Sequence, residues 1–471
     1  MATPRSMKAP RDSAVADEVL TAEIDSLDQE GRGVARFDGK VAFIEGALPG
    51  ERVLWQRRRS KARFDTGRVI QVLRASSVRA QPRCPHFGLE QGSCGGCTMQ
   101  HLDARAQVAV KQRALEESLQ RLGRVRPEIV LRPVAGPTWQ YRHRARLSVR
   151  FVERKGGVLV GFHERASSYV AELRECTILA KPVGTMLLGL RELVAELSIR
   201  DRLPQIEVAI TPAATVLVLR VLDPPSQADR AALAAFARAR GIALWLQPAG
   251  PDTAAPLEAQ DAVALELALP EFGLRMPFRP TDFTQVNHRV NEILVRRAVG
   301  LLAPEPGETV VDFFCGMGNF TLPIATRASR VIGLEGNAEL LRRAGEASRG
   351  SRLDGRTTFA AHNLFEWTRT DWQALRAGAG GRIDRLLIDP PRDGALAVVQ
   401  ALAGDSEPPK RIVYVSCNPA TLARDCGYLV HEAGWNLKAA GIVKMFPHTS
   451  HVESIAVLEP GVPRSSPGGT V

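Results

Sequence analysis

In the C-terminal half of the chain, short apolar runs alternate with longer amphipathic stretches. Residues 309–313, 330–335, 358–361, 385–388 and 411–415 each read as a buried strand, and the segments between them repeat apolar residues at helical spacing. From Met276 onward this order predicts an α/β domain with a parallel, doubly wound, Rossmann-like sheet, closed by a last strand at 455–458. Nearer the start the period shortens to two. Residues 20–24, 40–44, 52–55 and 68–72 alternate between Gly-rich turns such as Glu30-Gly31-Arg32-Gly33, the pattern of a small OB-like β-barrel. The middle mixes both periods: a helix at 104–122, hairpins 146–152/157–162 and 206–210/215–222, an Ala-rich helix at 227–240 and a strand at 242–246. The expected organisation is therefore a disordered tail (1–17), a barrel (18–76), an α+β central domain (77–275), an α/β domain (276–459) and a second tail (460–471).

Composition narrows the class. A chain of 471 residues with 45% hydrophobic and 24% charged residues can bury more than one core, which excludes a fibrous or disordered protein. No apolar run approaches the roughly 18 residues of a membrane span, and residues 1–16 lack a secretory apolar stretch, so a cytoplasmic location is expected. The net charge of +11 favours a polyanionic partner. Between Arg52 and Arg83 there are ten basic residues and one acidic one. Trp55 and Phe64 are interleaved there with Arg57, Arg58, Arg59, Lys61 and Arg63, a mixture suited to phosphate contact and base stacking, against the competing reading of a solvated face.

The candidate chemistry lies where the α/β strands end. The strand at 309–313 runs into Phe314-Cys315-Gly316-Met317-Gly318-Asn319, a turn open to a ligand, and the next strand ends in Glu335, 23 residues after Asp312. That acid can accept both ribose hydroxyls of an adenosyl group. The turn lacks the third glycine of a dinucleotide site, which favours S-adenosylmethionine. Asn363 and Asp389 end two further strands. Cys417 follows the strand at 411–415 and precedes a helix starting near Pro419, a position expected to favour a thiolate.

Five motifs in order carry a family resemblance: Asp282-Phe283-Thr284-Gln285-Val286-Asn287, the Phe313-to-Phe320 turn, Asp389-Pro390-Pro391-Arg392, Val415-Ser416-Cys417-Asn418-Pro419, and His451-Val452-Glu453. The chain resembles the RNA uracil-C5 methyltransferases over about residues 19–458. The resemblance implies cofactor contacts from Gln285, Phe314, Asn319, Glu335, Asn363 and Asp389, a covalent nucleophile at Cys417 and a base at Glu453. Thiolate addition to carbon 6 is what makes carbon 5 of uracil nucleophilic enough to take a methyl group. Amino-methyltransferases share the fold, but they place asparagine where this chain has Asp389, and an aromatic where it has Arg392.

Cys84, Cys94, Cys97 and Cys176 form a set whose spacing suits either zinc or an iron–sulfur cluster. The resemblance implies a [4Fe–4S] cluster, although Cys84 and Cys94 stand farther apart than is usual in the family. The barrel resembles a TRAM domain. Barrel and cysteines together resemble the branch acting on uracil 1939 of 23S ribosomal RNA. A monomer binding a flipped uridine in a loop or melted segment is the expectation, with other ribosomal or transfer-RNA uridines, or an RNA-binding assembly role, as alternatives.

Overall fold

The computed structural model describes residues 18–37 and 39–461. The expected disordered tails at 1–17 and 462–471 lie outside the described residues. Pro460 was expected in the second tail but ends a strand, and Gly461 N–H donates to Gly434 O at 2.8 Å.

The first sheet has six strands between Val19 and Arg74. Its small core of Ala35, Ala42, Ile44, Val53 and Trp55 is fully buried. Only glycine fits at 67, because a Cβ there would lie 2.2 Å from Gln56 O and 2.5 Å from the Trp55 ring.

The two predicted central hairpins share one sheet. Strand Arg144–Val152 pairs with Gly157–Gly161 on one side and antiparallel with Gln205–Ile210 on the other, with Leu147 opposite Ile206. Helices Leu187–Glu196 and Gln227–Arg240 bury Leu187, Leu190, Leu233 and Ala237 in this sheet's core.

The third sheet has strands β1 (Thr309–Phe313), β2 (Arg330–Glu335), β3 (Thr357–Ala361), β4 (Arg385–Ile388), β5 (Arg411–Ser416), β6 (Trp435–Val443) and β7 (Glu453–Pro460). They lie in the order 3-2-1-4-5-7-6, with β7 antiparallel to its neighbours. Successive residues alternate between two cores: Val310, Val331, Leu387 and Val413 face one side, while Val311, Ile332, Leu386 and Ile412 face the other. Both faces are therefore covered, as a parallel sheet requires.

Four helices matter below: α1 (Ala104–Ser118), α2 (His288–Leu302), α3 (Ala338–Gly350) and α4 (Pro419–His431). α2 covers the first face through Val290, Leu294 and Val299, and α4 the second through Leu422 and Leu429. Residues placed in the central domain by the sequence pattern also join this unit. Leu115 and Leu119 pack in the second core, Ile129–Val130 pairs with β6, and the hairpin Leu265–Leu269/Leu274–Phe278 packs in the first core across the expected boundary at 275. An apolar sheet face needs cover, and these distant segments supply it.

Candidate active site

The carboxyl ends of β1 to β4 bring five of the expected cofactor residues to one edge. After β1 the backbone enters the left-handed region at Phe314 (φ 63°), Gly316 (55°) and Gly318 (93°), folding the turn back over the sheet. Gly316 N–H donates to one Glu335 oxygen at 3.2 Å and Asn337 N–H to the other at 3.0 Å, which orients this carboxylate. Asn319 exchanges two hydrogen bonds, of 2.9 and 3.0 Å, with fully buried Asn291 on α2. Asn363 is exposed and accepts from Phe365 N–H at 3.2 Å, while the Phe365 ring lies 5.7 Å from that of Phe314.

Gln285 comes from the loop before α2. That loop is held by Arg144, whose guanidinium donates to Pro280 O and Asp282 O at 2.6 Å each, and by the buried ion pair of Arg343 with Asp282.

Beneath the turn, fully buried Asp312 accepts from Thr321 Oγ at 2.5 Å through one oxygen, and its other oxygen has no partner. Burial pushes Asp312 up to about 8, with the Asp389 and Glu335 carboxylates adding to it, and burial pushes Asp389 up to about 7.

The β5–β7 register places the two reactive candidates. Ser416 pairs with Ser454, so one step further Cys417 faces Glu453, and Asp389 follows Ile388, the partner of Tyr414. Glu453 is 3% exposed, and burial followed by the nearby Asp389 carboxylate holds it well above the usual carboxylate range. In the free protein the surroundings of Cys417 work against the expected thiolate. Burial, then Glu453 and Asp389, push the Cys417 thiol up to about 11, outweighing Arg392 and the start of α4. Cys315 and Cys426 are buried core residues.

The rest of the Cys417 motif grips the loop after Asp389. Asn418 Nδ2 and Thr421 Oγ donate to Arg392 O at 3.0 and 3.2 Å, and Arg424 donates to Asp393 O at 2.9 Å. Asp425 accepts from Ala395 N–H at 2.8 Å and Tyr414 OH at 2.6 Å. The two motifs thus behave as one piece.

Cys84, Cys94, Cys97 and Cys176 line a single pocket with His86, Phe87 and Phe162. The extra residues after Cys84 pack against the first sheet, where Arg68 donates to Leu89 O at 3.1 Å, and Cys94 N–H then donates to His86 O at 2.9 Å. Gly96 N–H points at Cys94 Sγ, 3.4 Å away. Among the described residues no three His, Cys, Asp or Glu side chains converge closely enough for one metal ion.

The family model for tRNA (uracil-5-)-methyltransferase matches residues 103–342 and 379–460, about two thirds of the chain, and that for the TRAM domain matches 17–54. The chain belongs to the tRNA (uracil-5-)-methyltransferase family. Similar relatives include the 23S rRNA (uracil(1939)-C(5))-methyltransferase RlmD of Burkholderia thailandensis, 55% identical over 95% of this chain and 96% of that one. The enzyme of the same name from Ralstonia nicotianae is 55% identical, over 93% and 98%. The crystal structure of Pyrococcus abyssi tRNA (uracil-54, C5)-methyltransferase with S-adenosyl-L-homocysteine has the same fold, with a TM-score of 0.67 at 21% identity over 93% of this chain and 99% of that one.

Within this family frame, the TRAM sheet shows where the side chains of the expected RNA contacts lie. Arg57 is tied to buried Asp65 at 3.2 Å and to Glu18, because the strand turns it towards Asp65. Arg58, Arg59, Lys61 and Arg63 are exposed, with Lys61 lying 5.3 Å over the Phe64 ring. Sequence reasoning also missed Asn291 and Phe365. An aromatic two residues beyond Asn363 was a readable signal for Phe365, whereas nothing local marks Asn291.

Proposed function

We propose that this enzyme transfers a methyl group from S-adenosylmethionine to carbon 5 of a uridine in 23S ribosomal RNA, uracil 1939 by likeness to its relatives. The observation that carries the reading is the juxtaposition of Cys417 and Glu453 across β5 and β7, beside Asp389. A ribosomal RNA substrate supports a cytoplasmic location. Mapping the methylated nucleotides of 23S ribosomal RNA from cells with and without the gene tests the assignment; no lost 5-methyluridine at 1939 would overturn it.

The cofactor fits the donor set. Asp312, Glu335 and Asp389 crowd three carboxyl groups at the strand ends, and Asp312 leaves one buried oxygen unpaired, which suits a ligand carrying sulfonium and ammonium charges. When bound, it supplies an electrophilic methyl group. A cation there lowers the pKa values of Asp312 and Asp389, so binding releases protons and tightens as pH rises from about 6 to about 8. Calorimetry in buffers of different ionisation enthalpy should read up to about one proton released near pH 7.5, and fewer with S-adenosylhomocysteine. Proton uptake would contradict the fit.

Cys417 adds to carbon 6 of the uracil, and its proton passes to Asp389. Asp389 takes this role because a carboxyl near pH 7 is well placed to accept and return a proton, which leaves Glu453 for the later step. Carbon 5 then takes the methyl group. Glu453 removes the carbon 5 proton, the C–H electrons form the C5–C6 double bond, and the C6–S bond breaks to free Cys417. The half-buried thiol requires a uridine out of its stack, at a cost of about a few kcal/mol. Phe283, 74% exposed in the Gln285 loop, offers a ring for a base.

Arg58, Arg59, Lys61 and Arg63 are the exposed RNA-binding candidates on the TRAM sheet. Arg58→Ala with Arg59→Ala should reduce the salt slope of RNA binding by up to about two, and adding Arg57→Ala should reduce it no further. A third unit lost with Arg57 would reinstate it as a contact.

The cysteine pocket is the proposed site of a [4Fe–4S] cluster. Four cysteines round one pocket can hold either zinc or an iron–sulfur cluster, and the family resemblance favours the cluster. Protein purified without oxygen should be brown with about four irons per chain. Stoichiometric zinc without visible absorbance would remove this assignment.

A further inference from the structure

Residues 444–452 connect β6 to β7, and Glu453 is the first residue after them. The shape of this loop is imposed from outside. Thr98 N–H and Met99 N–H both donate to His448 O at 2.9 Å, and Ser450 N–H donates to Thr98 Oγ at 3.0 Å. From α1, Gln107 Oε accepts from His448 N–H at 3.0 Å, and Lys111 Nζ donates to Phe446 O at 2.7 Å. Tyr141 OH donates to Pro447 O at 3.0 Å, and the Trp139 ring stacks 4.0 Å from that of His448.

His448 itself has φ 65°, a conformation that a non-glycine residue keeps only when its surroundings over-determine it. The gripping segment starts at Cys97, and Tyr141 packs with Cys97 and Ile178 in one cluster that also touches Cys176. The pocket of four cysteines is thereby joined to the loop that ends in Glu453.

We propose that Thr98 and Gln107 are positioning residues for Glu453, and that the segment leaving the cysteine pocket holds the base in place for removal of the carbon 5 proton. The proposal rests on Glu453 being the base. Its consequence is specific to one step: thiol addition at Cys417 sits on β5 and its own motif, which this grip does not touch. Loosening the loop should therefore slow only the last step, in which Glu453 takes the proton, the C5–C6 double bond re-forms and the sulfur leaves.

The test compares Thr98→Val, which keeps the side-chain shape but gives Ser450 N–H no acceptor, with Thr98→Ser, which retains the hydroxyl. Gln107→Met is the second variant. Each is purified as the full chain, with iron content and S-adenosylmethionine affinity measured alongside. Thr98→Val and Gln107→Met should release methylated RNA about tenfold more slowly and accumulate a methylated protein–RNA adduct. Trapping on 5-fluorouridine RNA should proceed at the wild-type rate, and Thr98→Ser should recover release. Equal slowing of trapping and release, unchanged release, or a Thr98→Ser variant as slow as Thr98→Val would overturn the proposal. Glu453→Gln in parallel separates the two claims. Turnover without adduct in that variant removes the base assignment and the positioning role with it, whereas adduct there and none in Thr98→Val removes the positioning role alone.

Discussion

Cys417→Ala is expected to lower methyl transfer by about four orders of magnitude or more, with no covalent RNA adduct and with cofactor affinity unchanged within about twofold. Without the sulfur, carbon 5 never becomes nucleophilic, and neither Cys315 nor Cys426 can substitute, because both are buried in the core. Glu453→Gln should behave differently. It removes a charge that pushes the Cys417 thiol up, so addition is not impeded, but the carbon 5 proton then has no acceptor. A methylated adduct should build up, visible as a mass shift on denaturing gels and mapped to Cys417. With 5-fluorouridine RNA the wild type should form the same kind of adduct, since fluorine cannot leave as a cation. An adduct at Cys315 or Cys426, or normal turnover by Cys417→Ala, would overturn the mechanism. If Glu453→Gln turns over freely while Cys417→Ala is dead, Asp389 becomes the first alternative base.

The second large effect is structural. Arg343 on α3 pairs with Asp282 where both side chains are less than a tenth exposed, and Asp282 also accepts from Arg279 N–H at 2.7 Å. This pair ties the Gln285 loop to the sheet that holds Glu335. Arg343→Leu leaves a buried carboxylate without its cation, at a cost of about 3–5 kcal/mol. The expected readouts are a clear fall in the melting temperature and a loss of S-adenosylmethionine affinity as Gln285 loses its anchor. Replacing both partners, Arg343→Leu with Asp282→Leu, should recover much of the melting temperature, because no charge is then stranded. If the double variant is as unstable as the single one, the pair is not the source of the loss.

Much of the catalytic architecture was legible without coordinates. Strand ends at Asp312, Glu335 and Asp389, and the strand-to-helix passage through Cys417, follow from local periodicity, because a buried parallel strand must read as an apolar run and its ligand groups must follow it. The Ala-rich helix at 227–240 was legible for the same reason, with Ser226 and Asp229 forming its capping box and Gly241 ending it.

What the sequence did not contain is anything that depends on which distant segment covers a given face. Glu453 reads locally as a surface residue at a strand start, yet the pairing of β7 with β5 and the cover over it bury the carboxyl and set it against Cys417. The sign of the Cys417 shift was missed for the same reason. A helix start nearby favours a thiolate, but desolvation and two carboxylates from other strands outweigh it. Arg57 sits in the same basic run as Arg58 and Arg59, and its contacts with Asp65 and Glu18 come only from the fold. The membership of 104–134 and 265–278 in the catalytic unit, and the grip of Thr98 on Ser450 across 352 positions of sequence, likewise come from tertiary packing. Periodicity and capping are properties of a few consecutive residues and are written in them. Burial, and the electrostatics that follows from it, belongs to surfaces brought together by the whole chain, so only the folded structure decides it.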